Sequence, residues 1–207
     1  YKYKHKKIMG EHDNMYIVLE GIDGAGKSTQ TELLRQWLEK QGYNTKTIVE
    51  PTDSSIGRLI RNELKKPEST EDINQQMLAL LFAADRLTLK QEILESKSTE
   101  KIILSDRSFY SSICYQNNQS IEPEWVYLIN KYTPKPDLTI ILDLDEKEAL
   151  KRCDREEVFE ELSFLTTTRK NYQKLLTTED NIIMIDAAPS LEEVQKAIQE
   201  KIKEKLL

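Results

Sequence analysis

A glycine-rich segment at positions 21–28, with the sequence GIDGAGKS, fits the spacing G-x-x-x-x-G-K-S. A compact apolar run at 15–19 precedes this segment. The stretch that follows, at 28–41, has leucines that recur at helical spacing. The glycines let the backbone turn tightly, so that successive N–H groups can point inward at phosphate oxygens. The N-terminus of the following helix adds the positive end of its dipole. The segment therefore predicts a strand–loop–helix unit that binds the phosphates of a nucleoside triphosphate.

Two side chains of this loop bring charge and metal chemistry. Lys27 would reach the β- and γ-phosphates, and the Ser28 hydroxyl would ligate Mg²⁺. A glycine-rich turn without a ligand is the alternative, and the coincidence of the motif with its flanking elements disfavours it. The predicted nucleotide-binding residues are Gly21, Ile22, Asp23, Gly24, Ala25, Gly26, Lys27, Ser28 and Thr29.

Short apolar runs alternate with longer helical patterns along the rest of the chain. We expect strands at 15–19, 45–49, 101–105, 138–142 and 182–185, and helices at 28–41, 56–65, 73–94 and 191–206. Strands that alternate with helices and read as continuous apolar runs form parallel sheets covered by helices on both faces. The sequence thus predicts an α/β fold of the P-loop NTPase type, with a five-stranded parallel sheet.

Length and charge limit the classes of protein that fit. The 207 residues suit one domain, placed at 15–207, after a polar extension at 1–14 that we expect to be disordered. A formal charge of −6 argues against a general nucleic-acid binder. Cys114 and Cys153 form no CxxC pair, which argues against a zinc site or a disulfide framework. Because the sequence shows no apolar run long enough for a membrane and no signal-peptide pattern, we expect a cytoplasmic protein.

The residues at the end of the third predicted strand favour a kinase over a GTPase or a motor ATPase. A GTPase is expected to carry a guanine-reading N-K-x-D segment, and none occurs in the sequence. A motor ATPase usually ends a strand in an acidic pair, whereas this strand ends in Ser105, Asp106 and Arg107. An Asp–Arg pair at the carboxyl edge of a sheet suits a site that holds Mg²⁺ and a second phosphate.

Six segments, in order along the chain, resemble the thymidylate kinase family. They are EGIDGAGKST at 20–29, FAADR at 82–86, DRSFYSSICYQ at 106–116, PDLTIILD at 136–143, ALKR at 149–152, and IDA with SLEEV at 185–194. From the first segment to the last they span nearly the whole chain. The resemblance implies a nucleoside monophosphate kinase architecture, ATP and Mg²⁺ as donor and cofactor, and a homodimer packed through helices.

The resemblance also implies which side chains hold the acceptor's base. Phe82 would stack on the thymine ring, and Arg86, one helical turn on, would hydrogen-bond a base carbonyl. Ser112 and Gln116 would read the N3–H and O4 edge. A core position for Phe82 and a salt bridge for Arg86 are the plainer alternatives.

The resemblance implies that two further residues contact the acceptor's sugar. Tyr115 would lie under the sugar, where the family's tyrosine favours deoxyribose, although a packing role is the alternative. Asp23 would face a sugar hydroxyl, because a carboxylate inside a phosphate loop must point away from the phosphates.

The acceptor's phosphate is assigned to Arg107 and Arg61, with Arg58, one turn earlier, as the alternative to Arg61. Bacterial members often have R-E-P where this chain has Val49, Glu50 and Pro51, so one family arginine is missing. Glu50 itself is kept among the substrate-binding candidates. A solvated helix face is the alternative for Arg58 and Arg61.

The phosphate loop has no arginine, and the resemblance implies that such members supply the transition-state cation from a lid, here a short segment at about 152–158. We favour Arg155 for that role and Arg152 as a nucleotide contact, although the two roles could be exchanged. Surface pairing with nearby glutamates is the alternative, and such exposed pairs are weak. The predicted catalytic set is Lys27, Asp106, Arg107, Arg155 and Arg152, with Ser28 and Asp106 as metal ligands.

The expected reaction is transfer of the ATP γ-phosphate to dTMP by direct in-line displacement. The main alternative is another kinase of the same fold, either a different nucleoside monophosphate kinase or a deoxynucleoside kinase. The deoxynucleoside kinases tend to carry Glu-Arg-Ser where this chain has Asp106, Arg107 and Ser108. A nucleotide-binding regulator without transfer activity is a third possibility, because fold resemblance alone does not fix function.

Overall fold

The computed structural model describes residues 14–99, 101–116, 121–152 and 162–206. Five parallel strands form one sheet in the order β2-β3-β1-β4-β5. Their bounds are β1 (Tyr16–Glu20), β2 (Asn44–Val49), β3 (Lys101–Asp106), β4 (Leu138–Asp143) and β5 (Ile182–Asp186). Each strand overlaps the apolar run that predicted it, so the α/β class with a five-stranded parallel sheet is confirmed. The expectation for residues 1–13 lies outside the described part of the chain.

Eight α-helices join or follow these strands within the described residues. They are α1 (Lys27–Lys40), α2 (Ser55–Leu64), α3 (Asp72–Ser98), α4 (Phe109–Gln116), α5 (Pro123–Ile129), α6 (Glu146–Arg152), α7 (Leu162–Leu175) and α8 (Leu191–Leu206). A short 3₁₀ turn, Pro67–Thr70, precedes α3. The third helix runs one turn beyond the expected end at residue 94, because residues 95–98 contain no glycine or proline that would stop it.

The central strand β1 is buried at all five of its residues. Its side chains pack alternately into two core layers, since successive residues of a strand point to opposite faces. Ile17 and Leu19 belong to the layer beneath α1, which contains Leu34 and Leu38. The opposite face of β1 packs in the layer beneath α3, with Leu89 and Ile93.

The sheet order places three chain segments together at its carboxyl edge. In the ladder, Leu19 of β1 and Val49 of β2 both pair with Asp106 at the end of β3. The connection from β1 runs across β3 to β2, whereas the connection from β3 runs back across β1 to β4, so these two neighbouring strands lead in opposite directions across the sheet. Ligands of open α/β sheets bind outside such a switch point. Within the described residues, no helix combines the length and apolar content needed to cross a membrane.

Candidate active site

The loop between β1 and α1 forms one wall of an open cavity of about 580 Å³. We call it the donor cavity, and its lining residues are Asp23, Gly24, Gly26, Lys27, Ser28, Thr29, Val49, Glu50, Asp106, Arg107, Arg152 and Leu191. The predicted loop residues Ile22 and Ala25 are buried in the core, so only their backbone groups could serve a ligand. Gly21 has a φ of 141°, and a Cβ there would lie 2.6 Å from the Leu142 carbonyl oxygen.

Lys27 is buried at the base of the loop. Its Nζ donates to the Ile22 carbonyl at 2.9 Å and lies 3.7 Å from Asp23 Oδ1. Burial lowers the pKa of the Lys27 ammonium, and the nearby Arg107 guanidinium lowers it further. The lysine is therefore held within the loop, close to where phosphates would approach the backbone N–H groups.

Ser28 and Asp106 meet across the cavity floor, where the Ser28 hydroxyl donates to Asp106 Oδ2. This pair offers two oxygen ligands at the mouth of the phosphate loop. No group of three or more acidic, histidine or cysteine side chains that could hold a metal occurs among the described residues. Mg²⁺ commonly takes one or two protein ligands and completes its shell with phosphate oxygens and water. The two residues fit that cation.

A second cavity of about 320 Å³ adjoins the first, and we call it the acceptor cavity. Its lining residues are Asp23, Val49, Glu50, Pro51, Arg61, Leu64, Phe82, Arg86, Arg107, Ser111, Ser112, Tyr115 and Gln116. Four of them also line the donor cavity, namely Asp23, Val49, Glu50 and Arg107. Every residue that the sequence assigned to the acceptor thus lies in one cavity, and this cavity meets the phosphate loop.

Arg86 lies at one end of the acceptor cavity and is 3% exposed. It donates to Glu50 Oε2 at 2.7 Å, to Asn130 Oδ1 at 2.5 Å, and more weakly to Ser108 O and Ser112 Oγ. The salt bridge considered as the plainer alternative is therefore present, in a side chain that also lines the cavity. These contacts fix the plane of the guanidinium.

Among the described residues, Glu50 Oε1 and Gln116 Oε1 are buried side-chain oxygens without a hydrogen-bond partner. Burial raises the pKa of Glu50 to about 7, although the Arg86 guanidinium opposes the rise. A buried oxygen that accepts no hydrogen bond destabilises a folded protein. A ligand that brings an N–H or O–H group to either oxygen would remove that cost.

Arg107 lies at the boundary between the two cavities. It has a φ of 78°, which is uncommon for a residue with a side chain and marks local strain. The guanidinium pairs with Asp23 Oδ1, donates to Ser111 Oγ at 3.1 Å, and lies 5.0 Å from the Tyr115 ring centroid. Burial alone would raise the pKa of Asp23, but the cations Arg107 and Lys27 hold it below its usual range.

Two arginines of α2 have different surroundings. Arg61 lines the acceptor cavity, and its guanidinium donates to the carbonyls of Pro51 and Thr52 at 2.8 Å each. Arg58 lines neither cavity and donates to the Asp53 carbonyl at 2.6 Å. The structure therefore favours Arg61 over Arg58 for contact with a ligand.

The start of the expected lid is described, and the rest is not. Arg152 ends α6, lines the donor cavity and lies 3.4 Å from the Ala187 carbonyl oxygen. Helix α6 packs directly on the phosphate loop, since a Cβ at Gly24 would lie 2.3 Å from the Ala149 carbonyl oxygen. Residues 153–161, which include Arg155, lie outside the described residues.

Sequence reasoning missed three buried polar residues behind the cavities. Glu20 accepts from the N–H and hydroxyl groups of Ser108 and Ser111 and from the Tyr172 hydroxyl. Asn130 orients Arg86, and Asp85 binds the segment after β2. A carboxylate inside an apolar strand, as at Glu20, was the one signal available in the sequence.

Comparison with known proteins gives one consistent result. The family model described as thymidylate kinase matches residues 19–198. A probable thymidylate kinase of Methanosphaera stadtmanae is 67% identical over 189 residues, 91% of this chain and 97% of that protein. One of Methanobrevibacter smithii is 46% identical, over 91% and 94%. The solved thymidylate kinase of Candida albicans superposes with a TM-score of 0.81 at 28% identity, over 93% of this chain and 92% of that one. The chain therefore belongs to the thymidylate kinase family.

Proposed function

We propose that this protein transfers the γ-phosphate of ATP to dTMP, which yields ADP and dTDP. The observation that carries the proposal is the contact between the two cavities at Asp23, Glu50 and Arg107. A donor triphosphate on the loop and an acceptor in the second cavity would meet at this boundary. Two bound substrates held in reacting geometry need no covalent enzyme intermediate.

The donor side supports a nucleoside triphosphate with magnesium. Loop N–H groups and Lys27 would bind the β- and γ-phosphates. Ser28 and Asp106 would hold Mg²⁺, which when bound neutralises charge on the phosphates and fixes their orientation. Gly24 and Gly26 adopt backbone angles that suit such a loop, with φ of 82° and 90°.

The acceptor side supports a monophosphate in preference to a nucleoside. Its cavity contains the cations Arg61 and Arg107, which a neutral nucleoside would leave without an anionic partner. Phe82 offers an aromatic face for the base. The unpartnered Gln116 Oε1 would accept the N3–H of thymine, a donor that cytosine lacks.

The transfer itself depends on positioning and charge neutralisation. Asp23 would bind a sugar hydroxyl, and its pairing with Arg107 would offset the negative charge of a carboxylate that lies beside the phosphates. Lys27 and Arg107 would neutralise charge on the transferring group from opposite sides of the boundary. Arg152, at the wall of the donor cavity, and Arg155 of the lid remain our candidates for the additional transition-state cation.

A homodimer is the assembly that α3 supports. One face of this helix exposes apolar side chains at Ile73, Met77, Leu80, Ala84, Leu87 and Leu94. Their spacing alternates between four and three residues, apart from the step across Gln91, which is the pattern of a helix–helix seam. Burial of this face against the same face of a second copy would give a symmetric interface.

A nucleoside–nucleotide competition tests the proposed function. With ATP and Mg²⁺, ADP should form with dTMP and far more slowly with thymidine, because the arginines of the acceptor cavity select a phosphate. Lys27→Ala should reduce turnover by about 10³-fold, because it removes a cation from the transferring phosphates. Preferred use of thymidine, or full activity of the lysine variant, would contradict the proposal.

A further inference from the structure

Asp85 lies on α3 next to Arg86, and its side chain faces the segment that follows β2. The residue is 1% exposed. Its Oδ2 accepts from the Thr52 backbone N–H at 2.7 Å, and its Oδ1 accepts from the hydroxyls of Thr52 and Ser54 at 2.6 Å each. A buried carboxylate with three short hydrogen bonds holds its partners firmly. Residues 52–54 are therefore attached to α3 at this point.

The attached segment in turn contacts α2. The Ser54 hydroxyl accepts from the Gly57 N–H at 3.0 Å and caps the start of the helix. A Cβ at Gly57 would lie 1.9 Å from the Thr52 carbonyl oxygen, so the helix backbone packs directly on that peptide. The position of α2 thus depends on the position of residues 52–54.

The same segment orients Arg61. The guanidinium donates to the carbonyls of Pro51 and Thr52 and to Asp53 Oδ1, at 2.8, 2.8 and 3.1 Å. A guanidinium has five N–H donors, and these contacts use three of them, so within the described part of the chain two are left for an anion. The Thr52 N–H donates to Asp85, and the Thr52 carbonyl accepts from Arg61. The side chains of Asp85 and Arg61 are therefore linked through the backbone of one residue.

We propose that Asp85 is a positioning residue for the acceptor's phosphate, which it serves by fixing residues 51–54 so that their carbonyls aim Arg61 into the acceptor cavity. This inference rests on the proposed function, in which Arg61 binds that phosphate. Asp85 itself does not line the cavity. Its effect is therefore transmitted through Arg61.

The inference predicts a selective change in affinity. Thymidine and dTMP share base and sugar and differ only in the phosphate. Asp85→Asn removes the negative charge and replaces one accepting oxygen with an NH₂ group, which then faces either the Thr52 N–H or the hydroxyls of Thr52 and Ser54. The segment should shift, and the phosphate contact of Arg61 should weaken while the base site on α3 stays intact.

Isothermal titration calorimetry of dTMP and thymidine on the full-length protein measures this change. Asp85→Asn should weaken dTMP binding about tenfold, the scale of one charge-assisted contact, and leave thymidine binding within about twofold. Asp180→Asn, the same chemical change at an exposed turn, should alter neither affinity. Equal weakening of both ligands, or no change in either, would overturn the inference.

Two further variants separate a failed inference from a failed function. Arg61→Ala should weaken dTMP binding, and Asp85→Asn should add little in that background, because the residues act through one contact. If Arg61→Ala leaves dTMP affinity unchanged, the phosphate assignment is wrong. If Arg61→Ala weakens dTMP binding but Asp85→Asn does not, only the positioning role is wrong.

Should Asp85→Asn fail to fold, Thr52→Val removes one donor to Asp85, and the same selective loss of dTMP affinity, about threefold, is expected.

Discussion

Two glycines with similar left-handed φ angles have different surroundings. Gly24 and Gly42 both have left-handed φ, 82° and 91°. A Cβ at Gly24 would lie 2.3 Å from the Ala149 carbonyl oxygen, whereas a Cβ at Gly42 would meet no atom of the described residues within 4 Å. The pair therefore separates backbone strain, which is common to both, from the contact between the phosphate loop and α6.

Alanine at each position tests this difference. Gly42→Ala should lower the free energy of unfolding by about 1–2 kcal/mol, the cost of a left-handed alanine, with kcat near that of the wild type. Gly24→Ala should also displace the loop and lower kcat for dTMP about 10–100-fold. Thermal unfolding and steady-state kinetics measure the two effects. Equal kcat values for both variants would show that the contact with α6 does not position the loop.

Single residues also show what a sequence can reveal. The roles of Lys27 and Ser28 follow from a motif whose parts are adjacent, so their place in the donor cavity could be predicted. Glu20 stands out as a carboxylate beside an apolar run, but its contacts could not be predicted, because its partner Ser108 is 88 positions away in the chain. Asp85 is likewise joined to Thr52 across 33 positions. Contacts of this length leave no local pattern in one sequence.

At the scale of elements, α3 carries two separate surfaces on one helix. Phe82 and Arg86 line the acceptor cavity, and Leu80 and Leu87 lie on the exposed apolar face. Its length and periodicity made this helix predictable. Helix α4 was harder to delimit, because seven of its eight residues are buried and a helix buried all round has no polar face to mark its period.

Phe82→Ala tests the base-binding surface of α3. Loss of the ring should raise KM for dTMP about 5–100-fold, since stacking of a base on an aromatic ring contributes about 1–3 kcal/mol. Phe82 does not line the donor cavity, so KM for ATP should stay near the wild-type value. A rise in KM for ATP as large as that for dTMP would instead indicate a general loss of structure.

At the scale of the whole molecule, the oligomeric state of the protein tests whether the exposed apolar face of α3 forms the dimer interface. A double substitution, Leu80→Glu with Leu87→Glu, puts two like charges at the centre of the proposed seam. Sedimentation should then show a monomer where the wild type is a dimer. Leu128→Glu, at an α5 position that is 59% exposed, is the matched control and should leave the dimer intact. A dimeric double variant would place the interface elsewhere.

The five-stranded sheet was predictable as a whole because each buried parallel strand is a continuous apolar run. The strand order that brings Glu50, Asp106 and the phosphate loop together was not, since it depends on pairing between distant segments. Membership of the family supplied the acceptor residues that a single chain read alone would have left ambiguous. The structure then placed Arg61 rather than Arg58 at the acceptor cavity.

The most direct measurement is kcat/KM for dTMP, dUMP, dCMP and dAMP with ATP and Mg²⁺. We expect dTMP to have the highest value. Its value should exceed that of dCMP by about 10²-fold or more, because cytosine leaves the buried Gln116 Oε1 without its donor. A higher kcat/KM for dUMP, dCMP or dAMP than for dTMP would contradict thymidylate as the acceptor.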